Sequence, residues 1–315
     1  MIGPLLATAA ARMSHHDLRC PVPAREAGQW VIGTALGLYF TPAVLKTLGA
    51  YVGYIAAGVL FALLLGAGCA VLLRRLTGID RSTAFFAMAV GGASEMATQA
   101  ERHGAQIDRV AAAHSMRIML VVLVIPFSFK FLGLHGLDPY LPGARTVNPG
   151  GLLALVALTS LCACGLRRID LPNAWVIGPL LMTIALTANQ WDLSALPRWI
   201  IDGGQLLIGI SLGTRFTPAF LHTAPRYLAG TAICSLVAML LAALFAAGLA
   251  AVSGIPLPTA ILATSPGGIA EMSLTAKTLQ LGVPVVTAFH VTRMVTLVLS
   301  IGPVFSLAQR LRRVP

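Results

Sequence analysis

The sequence predicts an all-α polytopic membrane protein made of two homologous, inverted repeats of about five to six helical segments, some of them broken or re-entrant. Three observations predict it. Of 315 residues 57% are hydrophobic and 10% charged, with a mean hydropathy of +0.83, whereas soluble domains are about a quarter charged. Uncharged runs at 48–73, 147–166 and 227–252 reach the roughly 20 residues that cross a bilayer. Finally, residues 28–125 align without a gap on 204–301, at a constant offset (204 − 28 = 176) and with about two positions in five identical.

The matched positions are chemically distinctive. Gly28-Gln29 matches Gly204-Gln205, and Phe40-Thr41-Pro42-Ala43 matches Phe216-Thr217-Pro218-Ala219. Gly91-Gly92 and Glu95-Met96 match Gly267-Gly268 and Glu271-Met272. His114 and Arg117 match His290 and Arg293. Shared apolar composition would repeat Leu and Ala; repeating Gly, Pro, Glu, His and Arg in register points to duplication.

Taken in order, the second copy holds six apolar pieces. The first, 150–166, is ended by Arg167-Arg168, and the second, 173–190, contains Gly178-Pro179. The third, 203–220, is interrupted by Arg215 and Pro218. The fourth is the charge-free 227–252. The fifth, 258–280, carries Ser265-Pro266-Gly267-Gly268, and the sixth is 283–308. The first copy begins late: Met1 to Leu6 match Val176 to Leu181, one residue off the main register. A counterpart of 150–166 is therefore missing, and the chain reads as shortened at its N-terminus, by natural loss or by a misplaced start. This divides the chain into a first membrane repeat (1–131), a linker (132–149), a second repeat (150–308) and a basic tail (309–315).

Basic residues in short loops set orientation. The loop after the fourth helix carries Arg74, Arg75 and Arg81 in the first copy and no basic residue in the second. The loop before it carries Lys46 in the first and Arg215 and Arg226 in the second. Equivalent loops then face opposite sides, as inverted repeats require. With a fifth segment that does not change sides, Arg167-Arg168, Arg215, Arg226 and Arg310 to Arg313 all face the cytoplasm. This explains the net charge of +11. It leaves no polar domain with a basic face for nucleic acid. Cys20, Cys69, Cys162, Cys164 and Cys234 lack zinc spacing and read as small buried hydrophobes.

Candidate chemistry lies in the fifth and sixth segments. Glu95 and Glu271 are acids within apolar stretches, where a charge costs about 3 kcal/mol and by default marks a functional site. Adjacent Gly91-Gly92 and Gly267-Gly268 fit unwound backbone, whose φ/ψ values glycine adopts readily, and which survives at membrane depth only in a cavity or inside protein. A helix restarting there offers free N–H groups to an anion; carbonyls and the acid could instead take a cation or a proton. The candidate substrate- or ion-binding set is Gly91, Gly92, Ser94, Glu95, His114, Arg117, Ser265, Pro266, Gly267, Gly268, Glu271, His290 and Arg293. The competing reading is a structural Glu–Arg–His lock, because His and Arg three apart share a helix face. The histidines could couple protons or sit neutral against a carbonyl. Phe-Thr-Pro-Ala reads as a proline-terminated helix with a snorkelling Arg215, or as a substrate contact through that arginine. Gly33/Gly37 and Gly209/Gly213 are close-packing faces.

The Gly-Gln opening, the two Gly-Gly-x2-Glu-Met motifs and the His-x2-Arg that follows each resemble the AbrB-type integral membrane protein family of bacteria. The likeness covers essentially the whole chain. The resemblance implies kinship with the cation:proton antiporter and anion transporter superfamily, whose inverted repeats cross at broken helices; Gly91-Gly92 and Gly267-Gly268 would lie at that crossover. It implies a multi-pass protein of the bacterial inner membrane whose partners are the bilayer and a small molecule or ion, with no nucleic acid; whether copies form a homo-oligomer is left open. Members also carry the labels regulator of gene expression and ammonia monooxygenase. The second would need copper, yet the seven histidines, His15, His16, His103, His114, His135, His222 and His290, form no intramembrane ligand cluster at helical spacing. The reading is a secondary transporter without cofactor, metal or catalytic residue; the alternative is a membrane regulator acting through a partner.

Overall fold

The structure, a computed structural model, describes the chain except at residues 1, 15, 17, 137–139, 141, 145, 172, 215–224 and 311–315. Arg215, the second Phe-Thr-Pro-Ala and the basic tail beyond Arg310 therefore lie outside the described residues, as do the side chains of Ser94 and Glu95. Among the described residues all regular structure is helical. Four helices are long and apolar enough to cross a membrane, and up to six spans result if two bent pairs count as one each. The chain divides into two compact units, each drawing on both halves of the sequence.

The first unit comprises 1–51, 129–220 and 270–287. It holds α1 (Ile2–Met13), α2 (Val22–Gly37), α3 (Pro42–Ala50), α8 (Pro149–Arg168), α9 (Ala174–Ala188) and α10 (Arg198–Gly213). Helix α2 packs on α9 and α10, and α10 packs on α1. Glycine makes these approaches possible. A Cβ on Gly28 would lie 3.0 Å from the Gly204 carbonyl oxygen, and one on Gly33 would run into the carbonyl of Val176. A Cβ on Gly213 would meet Leu5 and Thr8. These are the close packings that small residues permit between membrane helices. Helices α2 and α3 bend by 86°. Pro42 stands at the start of α3 and Thr41 caps it, its hydroxyl accepting from Val44 N–H at 3.4 Å. The first Phe-Thr-Pro-Ala therefore opens a helix rather than closing one, since proline at the first position forfeits an N–H that has no partner anyway.

The second unit comprises 52–128, 221–269 and 288–315. Its frame is α4 (Val52–Thr77) and α11 (Pro225–Ser253), which run antiparallel. Tyr54 Oη donates to Val252 O at 3.0 Å near one end, Arg226 Nε donates to Leu76 O at 3.3 Å near the other, and Phe61 and Phe245 stack at 4.1 Å between them. At about 1.5 Å per residue both exceed the roughly 30 Å apolar layer. Two short helices lie on this frame, α5 (Arg81–Met88) on α4 and α12 (Leu257–Thr264) on α11. Each stops, and a new helix starts a few residues on in the chain: α6 (Ala93–Arg102) after α5, and after α12 the helix α13 (Ile269–Thr278), which from Ala270 on belongs to the first unit. The long α7 (Ile107–Phe131) and α14 (Val283–Arg310) follow. Ranges of α5, α6, α12 and α13 differ by the same 176 positions (257 − 81, 269 − 93).

Candidate functional site

Helix α5 starts where Asp80 Oδ1 accepts from Thr83 N–H at 2.8 Å and from the Ser82 hydroxyl at 2.9 Å. Partial burial raises the Asp80 carboxyl; the bonds from Thr83 and Ser82 outweigh it and hold the group below the usual carboxylate range. Eight residues later α5 ends at Ala89, with φ −54° and ψ 131°, and α6 begins after Gly92, with φ −70° and ψ 145°. In the other copy Ser265 ends α12 at φ −56° and ψ 148°. These are extended conformations open to any residue. The positive-φ glycines among the described residues are Gly78, Gly104, Gly133 and Gly254, not those of the two motifs. The expectation that Gly-Gly supplies unusual backbone angles is thus corrected. At Gly91 the demand is for room, because a Cβ there would lie 2.9 Å from Met96 Cε, and the Met96 side chain is fully buried.

A helix that stops leaves its last carbonyls without partners. At both breaks a His-x2-Arg pair from the next long helix meets them. His114 Nε2 lies 2.9 Å from Phe86 O, and Arg117 donates through Nη1 to Ala89 O at 2.9 Å and Met88 O at 3.5 Å. Arg117 Nη2 donates to Gly91 O at 3.4 Å and to His114 Nδ1 at 3.0 Å. At the second break His290 Nε2 lies 2.9 Å from Leu262 O, and Arg293 donates to Ser265 O at 2.7 Å, to Gly267 O, and to His290 Nδ1 at 2.9 Å. Apart from the long contact to Met88 O, every partner in one set is the other's plus 176. His114 and His290 are fully buried, and Arg117 and Arg293 are only 4% and 6% exposed.

The geometry assigns the protonation of both histidines. A guanidinium can only donate, so each Nδ1 accepts and carries no proton. Each Nε2 therefore carries the proton and donates to its carbonyl. The imidazoles are neutral, which is the carbonyl-bound alternative the sequence left open. Each arginine is a delocalised cation whose planar fork spans successive carbonyls of a helix end, where positive charge meets the negative end of the helix dipole. Among the described residues, both Nε atoms are buried without a hydrogen-bond partner.

The structure thus brings His114, Arg117, His290 and Arg293 to the breaks next to Gly91 and to Ser265 and Gly267. Pro266 is buried beside them, and Ser265 Oγ donates to Leu262 O at 2.9 Å. Glu95 occupies the third position of α6, and Glu271 the third of α13. Glu271 is half-buried and engaged, and its carbonyl accepts from Thr275 Oγ at 2.8 Å. Sequence reasoning missed three polar residues of the first unit. Lys277 holds its ammonium 5.9 Å over the Tyr39 ring, and Thr287 Oγ donates to buried Ser273 Oγ at 2.9 Å. A lysine nine residues past Gly-Gly in an apolar segment was the available signal. Among the described residues no three of His, Cys, Asp and Glu converge as a metal ion would require.

A family model described as "Transition state regulatory protein AbrB" matches residues 1–309. The chain is 26% identical over 305 residues to "Uncharacterized protein YhjN" of Bacillus subtilis (strain 168), covering 90% of this chain and 78% of that one. It is 26% identical over 308 residues to "Putative regulator AbrB" of Escherichia coli (strain K12), covering 96% of this chain and 87% of that one.

Proposed function

The chain belongs to the AbrB family, and on that premise we propose that it is a multi-pass inner-membrane secondary transporter of a small anion or similar small solute. The site we assign to it is the pair of helix breaks: Gly91, Gly92, Ser94 and Glu95 with His114 and Arg117, and Ser265 to Gly268 and Glu271 with His290 and Arg293. The observation that carries this reading is the pair of buried guanidinium groups on the carbonyl ends of α5 and α12. They consume the acceptors at each break. What is left is positive: the free N–H groups opening the next half-helix, and no side chain caps the one at Gly92. Helix N-termini of this kind bind anions, and broken helices in transporters present them to substrate.

The acids complete a proton-coupled scheme. Two arginines and two glutamates balance when the site is empty. Protonating a glutamate leaves a net positive site, so an anion and a proton enter together. The neutral histidines hold the arginines and take no part in proton transfer. A thermal-shift series on the purified chain tests this, using chloride, inorganic phosphate, and mono- and dicarboxylates over a range of pH. At least one anion raises the melting temperature, more strongly at lower pH, and Glu271→Gln removes the pH dependence. Absence of stabilisation by every anion at every pH would sink the reading.

A regulatory role is favoured by one observation, the names borne by the family and by the Escherichia coli relative. In that reading the basic loop ends are a contact surface for a partner, and crosslinking in membranes recovers one specific protein while no solute moves.

A further inference from the structure

At the end of the second unit where α4 stops and α11 starts, five arginines gather. Two are engaged: Arg226 donates to Leu76 O at 3.3 Å, and the Arg109 guanidinium lies 5.7 Å over the Tyr227 ring. The other three, Arg74, Arg75 and Arg81, line a cavity of about 660 Å³ whose remaining wall includes Ala70, Phe85 and Phe305. That volume is typical of a small-molecule site. Among the described residues none of the three has an ion-pair partner. The nearby carboxylate is occupied, since Asp80 accepts from Ser82, Thr83 and Gln106. Uncompensated guanidiniums against an aromatic wall call for a ligand both anionic and apolar.

The surface of α4 says which. Leu60, Leu64, Ala67 and Val71 are exposed, and their spacing of three to seven residues puts them on one face of the helix. The same face continues into Arg74 and Arg75. An apolar stripe facing lipid thus ends at the cavity mouth. We propose that this cavity binds the phosphate of an anionic phospholipid, with the arginines taking the headgroup and the α4 stripe an acyl chain. Arginine forks match phosphate oxygens two at a time, and basic pockets between membrane helices are known to take such headgroups. Free phosphate would meet the same guanidiniums and leave the aromatic wall wet. The site exists at one end only: 176 positions on, Ala250, Ala251 and Leu257 stand where the arginines stand.

The test is lipid binding by the full chain in detergent, read by native mass spectrometry and by melting temperature. The probes are phosphatidylglycerol, cardiolipin, phosphatidylcholine and inorganic phosphate. The wild type retains and is stabilised by the two anionic lipids, and not by phosphatidylcholine or phosphate. The triple variant Arg74→Ala, Arg75→Ala, Arg81→Leu weakens anionic-lipid binding roughly a hundredfold, about 1 kcal/mol per arginine. Arg167→Ala with Arg168→Ala, in the first unit, leaves it unchanged. If the triple variant melts early without lipid, Arg81→Leu alone gives a weaker loss on an intact fold. Undiminished binding in both variants overturns the proposal. So does equal stabilisation by inorganic phosphate, which makes this a soluble-anion site, or by phosphatidylcholine, which makes it a nonspecific lipid surface.

Discussion

The two helix breaks share one clamp and differ in what surrounds it. At the second, Ser265, Pro266 and Gly267 are all buried, Arg293 binds at 2.7 Å or closer, and a serine hydroxyl ties the helix end to Leu262. At the first, Ala89 and Val90 replace Ser265 and Pro266 and are just as buried, but Gly91 is half-exposed where Gly267 is buried, and two of the three arginine–carbonyl contacts are 3.4–3.5 Å. A buried carbonyl that loses its donor stays orphaned, whereas a half-exposed one can turn to water. The duplicated motif therefore yields one stiff break and one loose one. In the transport cycle proposed above, the loose break is where the backbone would move, and the stiff one would be its fixed counterpart.

The largest effect expected from this difference is on the arginines. Arg293→Ala orphans the buried Ser265 and Gly267 carbonyls and lowers stability by about 3 kcal/mol or more, while Arg117→Ala orphans the buried Ala89 carbonyl but leaves that of Gly91 able to turn to water, and loses about 2. Unfolding in detergent compares them; equal losses would erase the distinction between the breaks. A smaller effect comes from exchanging the residues that differ. Ser265→Ala loses one hydrogen bond, about 1 kcal/mol, and Ala89→Ser leaves stability the same or higher. Amide exchange should rise across 265–269 in the first variant and fall across 89–93 in the second.

The smallest effect concerns how the short helices begin. Asp80 caps α5, whereas α12 starts at Pro256 with no side-chain cap. Asp80→Ala should lower stability by about 1 kcal/mol. Because its folded carboxyl is held below the ordinary range, its contribution is present above the unfolded pKa of about 3.9 and lost as pH falls below it. Asp80→Asn keeps the cap and should flatten that acid limb; an unchanged limb assigns the pH dependence to another group.

Much of this was legible in the residues. The long spans at α4 and α11, the break after α12, and the grouping of His and Arg with Gly-Gly all follow from apolar runs and a repeated register. What the arginines bind was not legible, because a charge in an apolar segment suggests an acid as partner, and glutamates lie close in sequence. A helix end offers several carbonyls at once, and sequence does not mark them as acceptors. The glycines misled for a related reason: their identity shows that a side chain is excluded, and only geometry shows that at Gly91 the obstacle is Met96 and not the backbone angle. At Pro42, the breaker was visible but not which of two helices it served.

Transport at the paired breaks is tested most directly by flux. The chain and its Glu271→Gln variant would be reconstituted in proteoliposomes carrying an internal pH dye. Chloride, inorganic phosphate, and mono- and dicarboxylates would then be supplied under an imposed pH gradient. The expected result is uptake of at least one anion with co-entry of protons in the wild type, lost in a variant that still melts at the same temperature. Gradient-driven flux that is the same in the variant, or no movement of any of these anions, would contradict it.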